Sequence, residues 1–295
     1  MILTFKPSVE VALRAGALLG EGPVWDETCE RLLWVDIQRR ELHRFDPSTC
    51  IDEVDYMSSQ VSAVAPRING GLVMAMEDNI AVKDTWMGEL EVIARPSAMP
   101  KGGRFNDGAC DPLGRFWVGT LTKGRSKGAS SLYRLEPSGQ LTEMLSGVTV
   151  SNGLGWSPDG RTLYYVDTPT LGVDAFDFQP DSGELSNRRR IVTIEAESGR
   201  PDGLCVDIDG GIWVCLIFGG AIHRYRPDGC LDRRIELPVT RVTSCAFGGP
   251  KLDILFLTSA AAGLSPEELS DQPHAGDILC FAPGVGGLPS TPFYG

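Results

Sequence analysis

The feature that most constrains this chain is a short pattern that returns six times along it. A small polar or acidic residue, often followed by glycine, opens an apolar stretch; a tight turn and then an aromatic or branched strand come after it. Glu21-Gly22-Pro23-Val24-Trp25 leads to Leu33-Trp34-Val35, and Asn106-Asp107-Gly108-Ala109-Cys110 to Phe116-Trp117-Val118. Ser151-Asn152-Gly153-Leu154-Gly155 leads to Tyr164-Tyr165-Val166, and Asp202-Gly203-Leu204-Cys205-Val206 to Ile212-Trp213-Val214. Weaker copies begin near Ser62, ahead of Gly71-Leu72-Val73, and near Ser244, ahead of Leu255-Phe256-Leu257. With Glu21, Ser62, Asn106, Asn152, Asp202 and Ser244 as equivalent points, successive spacings are 41, 44, 46, 50 and 42 residues. Four short strands and their turns need roughly 40 to 50 residues, the length of one propeller blade.

Turn chemistry inside each unit agrees. Asp111-Pro112-Leu113-Gly114, Ser157-Pro158-Asp159-Gly160 and Asp207-Ile208-Asp209-Gly210 are hairpin signals between first and second strands. The 35 glycines and 20 prolines in 295 residues fit many tight turns, and helical periodicity is missing between the strands, which argues against a parallel α/β fold. The one helix-like stretch, Ser265 to Leu269, is a turn or two. The expectation is an all-β, six-bladed β-propeller of four-stranded antiparallel blades, one domain over residues 1–295. The segment from Val9 to Leu13 is the candidate to complete the last blade beside Asp277 to Phe281, in a register the sequence does not reveal.

The net charge of −12 comes with no compensating basic block, which argues against nucleic acid or an anionic membrane as partner and leaves a small molecule. The run Val11-Ala12-Leu13 is broken at once by Arg14, so no signal peptide or membrane span is expected, and a cytoplasmic monomer or small homo-oligomer is. The eight cysteines, Cys29, Cys50, Cys110, Cys205, Cys215, Cys230, Cys245 and Cys280, contain no C-x-x-C pair and read mostly as reduced core residues.

The repeat itself makes a geometric prediction. Equivalent positions in radially arranged blades lie at one height and one distance from the axis, so Glu21, Ser62, Asn106, Asn152, Asp202 and Ser244 converge on the channel mouth. Two carboxylates, two carboxamides and two hydroxyls make an oxygen-rich acidic cage. That suits a hard divalent cation, calcium first, then magnesium or manganese, with zinc less favoured without His or Cys. The competing reading is that these residues merely cap turns, since Asn-Gly and Asp-Gly are ordinary turn dipeptides.

Gly20-Glu21-Gly22-Pro23-Val24-Trp25, Arg104-Phe105-Asn106-Asp107-Gly108, Ser151-Asn152-Gly153-Leu154, Pro201-Asp202-Gly203-Leu204 and Cys245-Ala246-Phe247-Gly248-Gly249 together carry a resemblance. In this order the chain resembles the senescence-marker-protein/gluconolactonase family of regucalcin-like sugar lactonases, from about residue 15 to 285. The resemblance implies a propeller whose divalent metal is bound by Glu21, Asn152 and Asp202, with Arg104 and Asn106 contacting a small lactone. Hydrolysis would then use the metal as Lewis acid, with Asp202 as candidate general base and Arg104 and Asn106 steadying the developing oxyanion. A ligating carboxylate is a weak base, which counts against Asp202 in that role.

Two departures bear on the substrate. Regucalcin-like members carry an acidic contact after Gly-Thr-Met, whereas Gly119-Thr120-Leu121 here runs into the basic Thr122-Lys123-Gly124-Arg125-Ser126-Lys127. This loop, residues 122–128, is either a solvated hairpin or a pocket rim favouring a more anionic or differently hydroxylated ligand. Ile217 and Phe218 stand where a more polar or indole side chain is typical.

Serine-hydrolase chemistry lacks its Gly-x-Ser-x-Gly, and His43, His223 and His274 miss the inner-rim position; His43 and His223 read as outer-blade residues. The remaining alternatives are a phosphotriesterase-like hydrolase with a similar axial cation, or a non-catalytic calcium-binding regulatory propeller. A protein scaffold would not need the acidic cage, and the Trp-Asp blade signature does not recur.

Overall fold

The computed structural model describes residues 7–295. Residues 1–6, on which the expectation of no leader segment partly rests, lie outside the described residues. The described strands form six four-stranded antiparallel sheets, arranged as a six-bladed β-propeller. Blade 1 runs Gly20–Asp26, Arg31–Asp36, Glu41–Asp46 and Ile51–Tyr56, from the axis outward. The innermost strands of blades 2 to 6 are Val61–Pro66, Gly103–Cys110, Ser151–Trp156, Arg200–Val206 and Val242–Gly248. Each begins within a few residues of its repeat point.

The ring closes by mixing the ends of the chain. Blade 6 takes Ile254–Ser259 and Ile278–Phe281 as its second and third strands and Glu10–Leu13 as its outermost. Glu10 pairs with Cys280, Val11 with Leu279 and Leu13 with Ile278, the register that the sequence alone does not reveal. An early strand on a late sheet satisfies an exposed ladder and ties the first blade to the last.

The core is divided among six hydrophobic clusters, one between each pair of neighbouring blades. Trp117, Trp156 and Phe178 meet edge-on between blades 3 and 4, while Trp25 stacks with Phe256, centroids 6.0 Å apart, between blades 1 and 6. Blade stacking of this kind buries both faces of every sheet, which explains why the second strands read as near-continuous apolar runs.

Blades 3 and 5 share a polar knot in the first hairpin. The buried carboxylate of Asp111 accepts the backbone N–H groups of Leu113 and Arg115 and the indole N–H of Trp117 at 2.8 Å. Asp207 accepts the N–H groups of Asp209 and Gly211, the Trp213 indole at 2.8 Å and the Arg224 guanidinium at 2.7 Å. These hairpins turn as expected, with Gly114, Gly160 and Gly210 donating back to Asp111, Ser157 and Asp207.

The C-terminal tail runs across the same end of the propeller. Ile208 donates to Gly286, Gly287 to Leu252, Phe293 to Pro66 and Tyr294 to Gly114, and Phe293 is buried between blades 2 and 3. The helix-like stretch is a helix, Pro266–Asp271, with Ser265 and Glu268 forming a capping box. His43 and His223 lie in third strands and are buried. All eight cysteines are free; Cys215 and Cys245 are core residues, but Cys50 and Cys230 are exposed because they lie at outer hairpin turns.

Asp207→Ala would leave the Trp213 indole N–H without its acceptor and the buried Arg224 guanidinium held by Asp232 alone. It is expected to cost about 3–5 kcal/mol, measured by urea unfolding, while removal of the exposed Asp228 should leave the midpoint where it is. Equal, small effects would contradict the role given to the knot.

Candidate functional site at the mouth of the axial channel

The six repeat residues do not cap turns. Each lies within an innermost strand, and in every blade the pairing with the second strand slips there: between Glu21 and Val24, Val61 and Ala63, Phe105 and Gly108, Ser151 and Leu154, Pro201 and Leu204, and Val242 and Cys245. Such irregularities of β-bulge type re-aim a side chain and sharpen the local twist. Crowding at the axis explains the glycines that follow. A Cβ on Gly153 would come within 2.6 Å of the Leu204 nitrogen, and one on Gly203 would overlap the Ser244 side chain. The turn-capping reading therefore fails for a physical reason: these are close approaches of neighbouring strands.

All six ring residues are buried, between 2% and 6% exposed. Burial raises the Glu21 carboxyl well above its ordinary range, and Asp202 and Asp107 push it further. Burial, then Asp107, pushes Asp202 up to about 8, with the Asn152 carboxamide opposing. Asp107 is itself pushed up to about 7 by burial. Arg104 is pushed down to about 10 by burial, against the pull of Glu21 and Asp202. Glu21, Asp107 and Asp202 thus shift one another's protonation, with the Arg104 guanidinium beside them favouring their anions.

The neutral members are fixed by hydrogen bonds. Arg104 Nη1 donates to Asn106 Oδ1 at 2.9 Å and to the Phe105 carbonyl at 2.7 Å, and Asn106 Nδ2 donates to the Ser151 carbonyl at 2.7 Å. Asn152 Nδ2 donates to Thr168 Oγ1 at 2.9 Å, which sets the amide so that Oδ1 is left buried with no hydrogen-bond partner. A buried carbonyl oxygen is rarely left unsatisfied. Beside two carboxyls that repel one another, it marks a deficit of positive charge with oxygen ligands around it. Among the described residues no three His, Cys, Asp or Glu side chains are grouped to hold a metal ion. An ion here would need the Asn152 carboxamide together with Glu21 and Asp202, and the residues fit a hard cation on those terms.

Ser62 Oγ lies 3.4 Å from the Ala75 carbonyl, and Ser244 is the ring residue that also lines the channel below the ring. That channel is a cavity of about 410 Å³ walled by Asp107, Leu154, Leu204, Cys245 and Phe247 and bordered by the tail residues Leu288 to Thr291. Cys205 and Cys245 meet there, sulfur to sulfur, at 3.4 Å. At the opposite end Phe218, with φ of +68°, is 48% exposed, and the Arg241 guanidinium lies 5.1 Å over its ring. Arg200 pairs with Ile217, so Phe218 sits at the end of blade 5 where the strand of Asp202 begins.

The family model described as "SMP-30/Gluconolactonase/LRE-like region" matches residues 19–261. The chain belongs to this family. A Bacillus subtilis protein provisionally named as the sugar lactone lactonase YvrE is 38% identical over 280 residues, 95% of this chain and 96% of that one. Regucalcin of Oryctolagus cuniculus is 36% identical over 294 residues, 97% and 98% of the two chains. The crystal structure of a calcium-binding protein, regucalcin, from Agrobacterium tumefaciens superposes with a TM-score of 0.93 at 29% identity, covering 98% of each chain. The SMP-30/gluconolactonase match begins and ends within the propeller, spanning all six repeat points.

Two participants escape a reading of the sequence as a set of repeat points. Asp107 occupies the place that is glycine in blades 1, 4 and 5, and a side chain where the repeat elsewhere removes one is a signal that can be found. Thr168 orients Asn152 from a loop after the second strand of blade 4, and no spacing marks it.

In protein free of ions, the three carboxyls hold protons to higher pH in the folded chain than in an unfolded one. Between 3.8 and about 8 the folded form binds more protons at Asp202, so stability falls as pH rises. The Tm of ion-stripped protein should decline over that range. Asp202→Asn should flatten the decline and raise Tm at its upper end, by about 2–4 °C for each kcal/mol relieved; a Tm that climbs with pH would contradict the buried acidic cluster.

Proposed function

We propose that this protein hydrolyses a small cyclic ester, a sugar lactone, at the mouth of the axial channel, with a divalent cation held by Glu21, Asn152 and Asp202. The observation that carries the reading is the unpartnered Asn152 Oδ1 beside the two buried, mutually repelling carboxyls. Membership of a gluconolactonase family supports the substrate class. Calcium is the first candidate, because every available ligand atom is oxygen and the regucalcin from Agrobacterium tumefaciens is described as calcium-binding.

Bound there, a divalent cation polarises a carbonyl oxygen and lowers the pKa of water. Thr168 holds the Asn152 carboxamide through its nitrogen, which leaves Oδ1 free to ligate a cation. Arg104, half-buried and tied to Asn106, would present fixed donors to the lactone ring and to the oxygen that gains charge. Asn106 keeps Arg104 in place through Oδ1 and itself donates to blade 4 through Nδ2, so the arginine and asparagine act as one rigid clamp. Asp202 would take the proton of the attacking water on a carboxylate oxygen as the water oxygen bonds to the ester carbon, and would return it to the ring oxygen when the C–O bond of the ring breaks. Ligation of a cation would keep this carboxylate ionised and able to accept, while lowering its basicity.

Calcium binding without turnover is a second reading, favoured by the regucalcin relatives. Aldono-lactone hydrolysis by metal-stripped protein, with Ca²⁺, Mn²⁺, Mg²⁺ or Zn²⁺ restored, separates the two. Turnover is expected only with metal, and Asp202→Ala should reduce kcat at least 100-fold, the scale of lost acid–base catalysis. Intact lactones alongside calorimetric metal binding would leave the binding role and overturn the enzymatic one.

A further inference from the structure

The basic loop at residues 122–128 is built onto the rim of this site. Gly103 pairs with Thr122 and Arg104 with Leu121, so the loop springs from the strand directly beside Arg104. Lys123 N donates to the Gly102 carbonyl at 2.9 Å on one side, and Gly128 N donates to Thr149 Oγ1 at 3.1 Å on the other, just ahead of the inner strand that carries Asn152. Thr122 organises the turn: its carbonyl accepts Arg125 N and its buried hydroxyl accepts Ser126 N, each at 2.8 Å. Arg125 occupies the tip in the left-handed region, φ +49°, a conformation uncommon for an arginine. The backbone of the loop is therefore tied down at three places, which fixes where the side chain of Arg125 starts.

Among the described residues no ion pair or side-chain hydrogen bond is formed by Lys123, Arg125 or Lys127, in a protein whose net charge is −12. The field of Arg125 nevertheless reaches into the site, where it favours the anion of Asp202 and opposes the cation of Arg104. A divalent ion would commit Glu21 and Asp202. Arg104 and Arg125 then face the ligand, against Asp107 below the ring and the exposed Glu77 at the side. A neutral polyhydroxy ring does not need that second, unpaired guanidinium.

Building on the lactonase reading, we infer that the preferred lactone is anionic, with a carboxylate or phosphate on the sugar that Arg125 receives. A guanidinium meets either group through paired N–H donors. The acid group would lie at the blade 3 rim while the ester carbonyl lies over the axis.

The test compares gluconolactone with its carboxylate counterpart, glucarolactone, and with phosphorylated gluconolactone, in wild type and in Arg125→Asn and Arg125→Glu. Asparagine tolerates the left-handed backbone, so the turn is kept. The expected result is a preference of about tenfold or more in kcat/KM for a charged lactone, carried by KM and weakened by salt. The preference should fall to near one in Arg125→Asn and reverse in Arg125→Glu, with the better of the two charged lactones identifying the acid group. A neutral lactone used as well as either charged one, or a preference that survives both substitutions, overturns the inference and leaves the lactonase reading standing. If no lactone is opened, the lactonase reading fails, and calorimetry of glucarate, phosphogluconate and gluconate on calcium-loaded protein decides the inference alone: tighter, Arg125-dependent binding of a more highly charged acid supports it, and equal binding overturns it.

Discussion

The site depends on how tightly six innermost strands crowd one axis. Where Gly153 and Gly203 stand, the neighbouring strand is too near for a Cβ, and the ladder to the second strand slips in every blade at that height. The slip turns the preceding side chain toward the axis. In this way one local irregularity, repeated six times, gathers Glu21, Asn106, Asn152 and Asp202 from residues far apart in the chain. Had the inner strands kept a regular ladder, strict alternation would set where these side chains point, with no such local redirection.

Concentrating carboxyls in that space works against folding, and the rest of the molecule offsets it. Burial and mutual repulsion hold Glu21, Asp107 and Asp202 near their neutral forms when no cation is present. Against this stand six inter-blade apolar clusters, the Asp111 and Asp207 knots and the Glu10–Leu13 strand that closes the ring. The stabilising elements lie between blades and at the hairpin end, while Glu21 and Asp202 stand at the other end of the inner strands and Asp107 between the two.

Much of this was legible in the residues. The sixfold recurrence specified the number of blades, the Pro-Asp-Gly and Asp-x-Asp-Gly turns located the first hairpins, and the repeat points named the buried ring. What remained hidden depends on contacts between distant segments. A dipeptide such as Asn152-Gly153 reads equally as a turn or as a strand bulge, and only its neighbour, Leu204, decides. Thr168 acquires its role from the direction of one amide, and the tail from Leu288 to Thr291 borders the channel only because Gly286 and Phe293 find partners on blades 5 and 2. The loop bearing Arg125 was visible as a charge run, but not its attachment beside Arg104.

Glu21, Asn152 and Asp202 are proposed to surround a divalent cation on the propeller axis. Crystals grown with Mn²⁺ and measured for anomalous scattering test it most directly. One strong peak is expected on the axis, within coordination distance of Asn152 Oδ1 and of both carboxylates, and it should be lost in Asn152→Ala. A peak elsewhere, or an axis that stays empty at saturating Mn²⁺ and Ca²⁺, would contradict it.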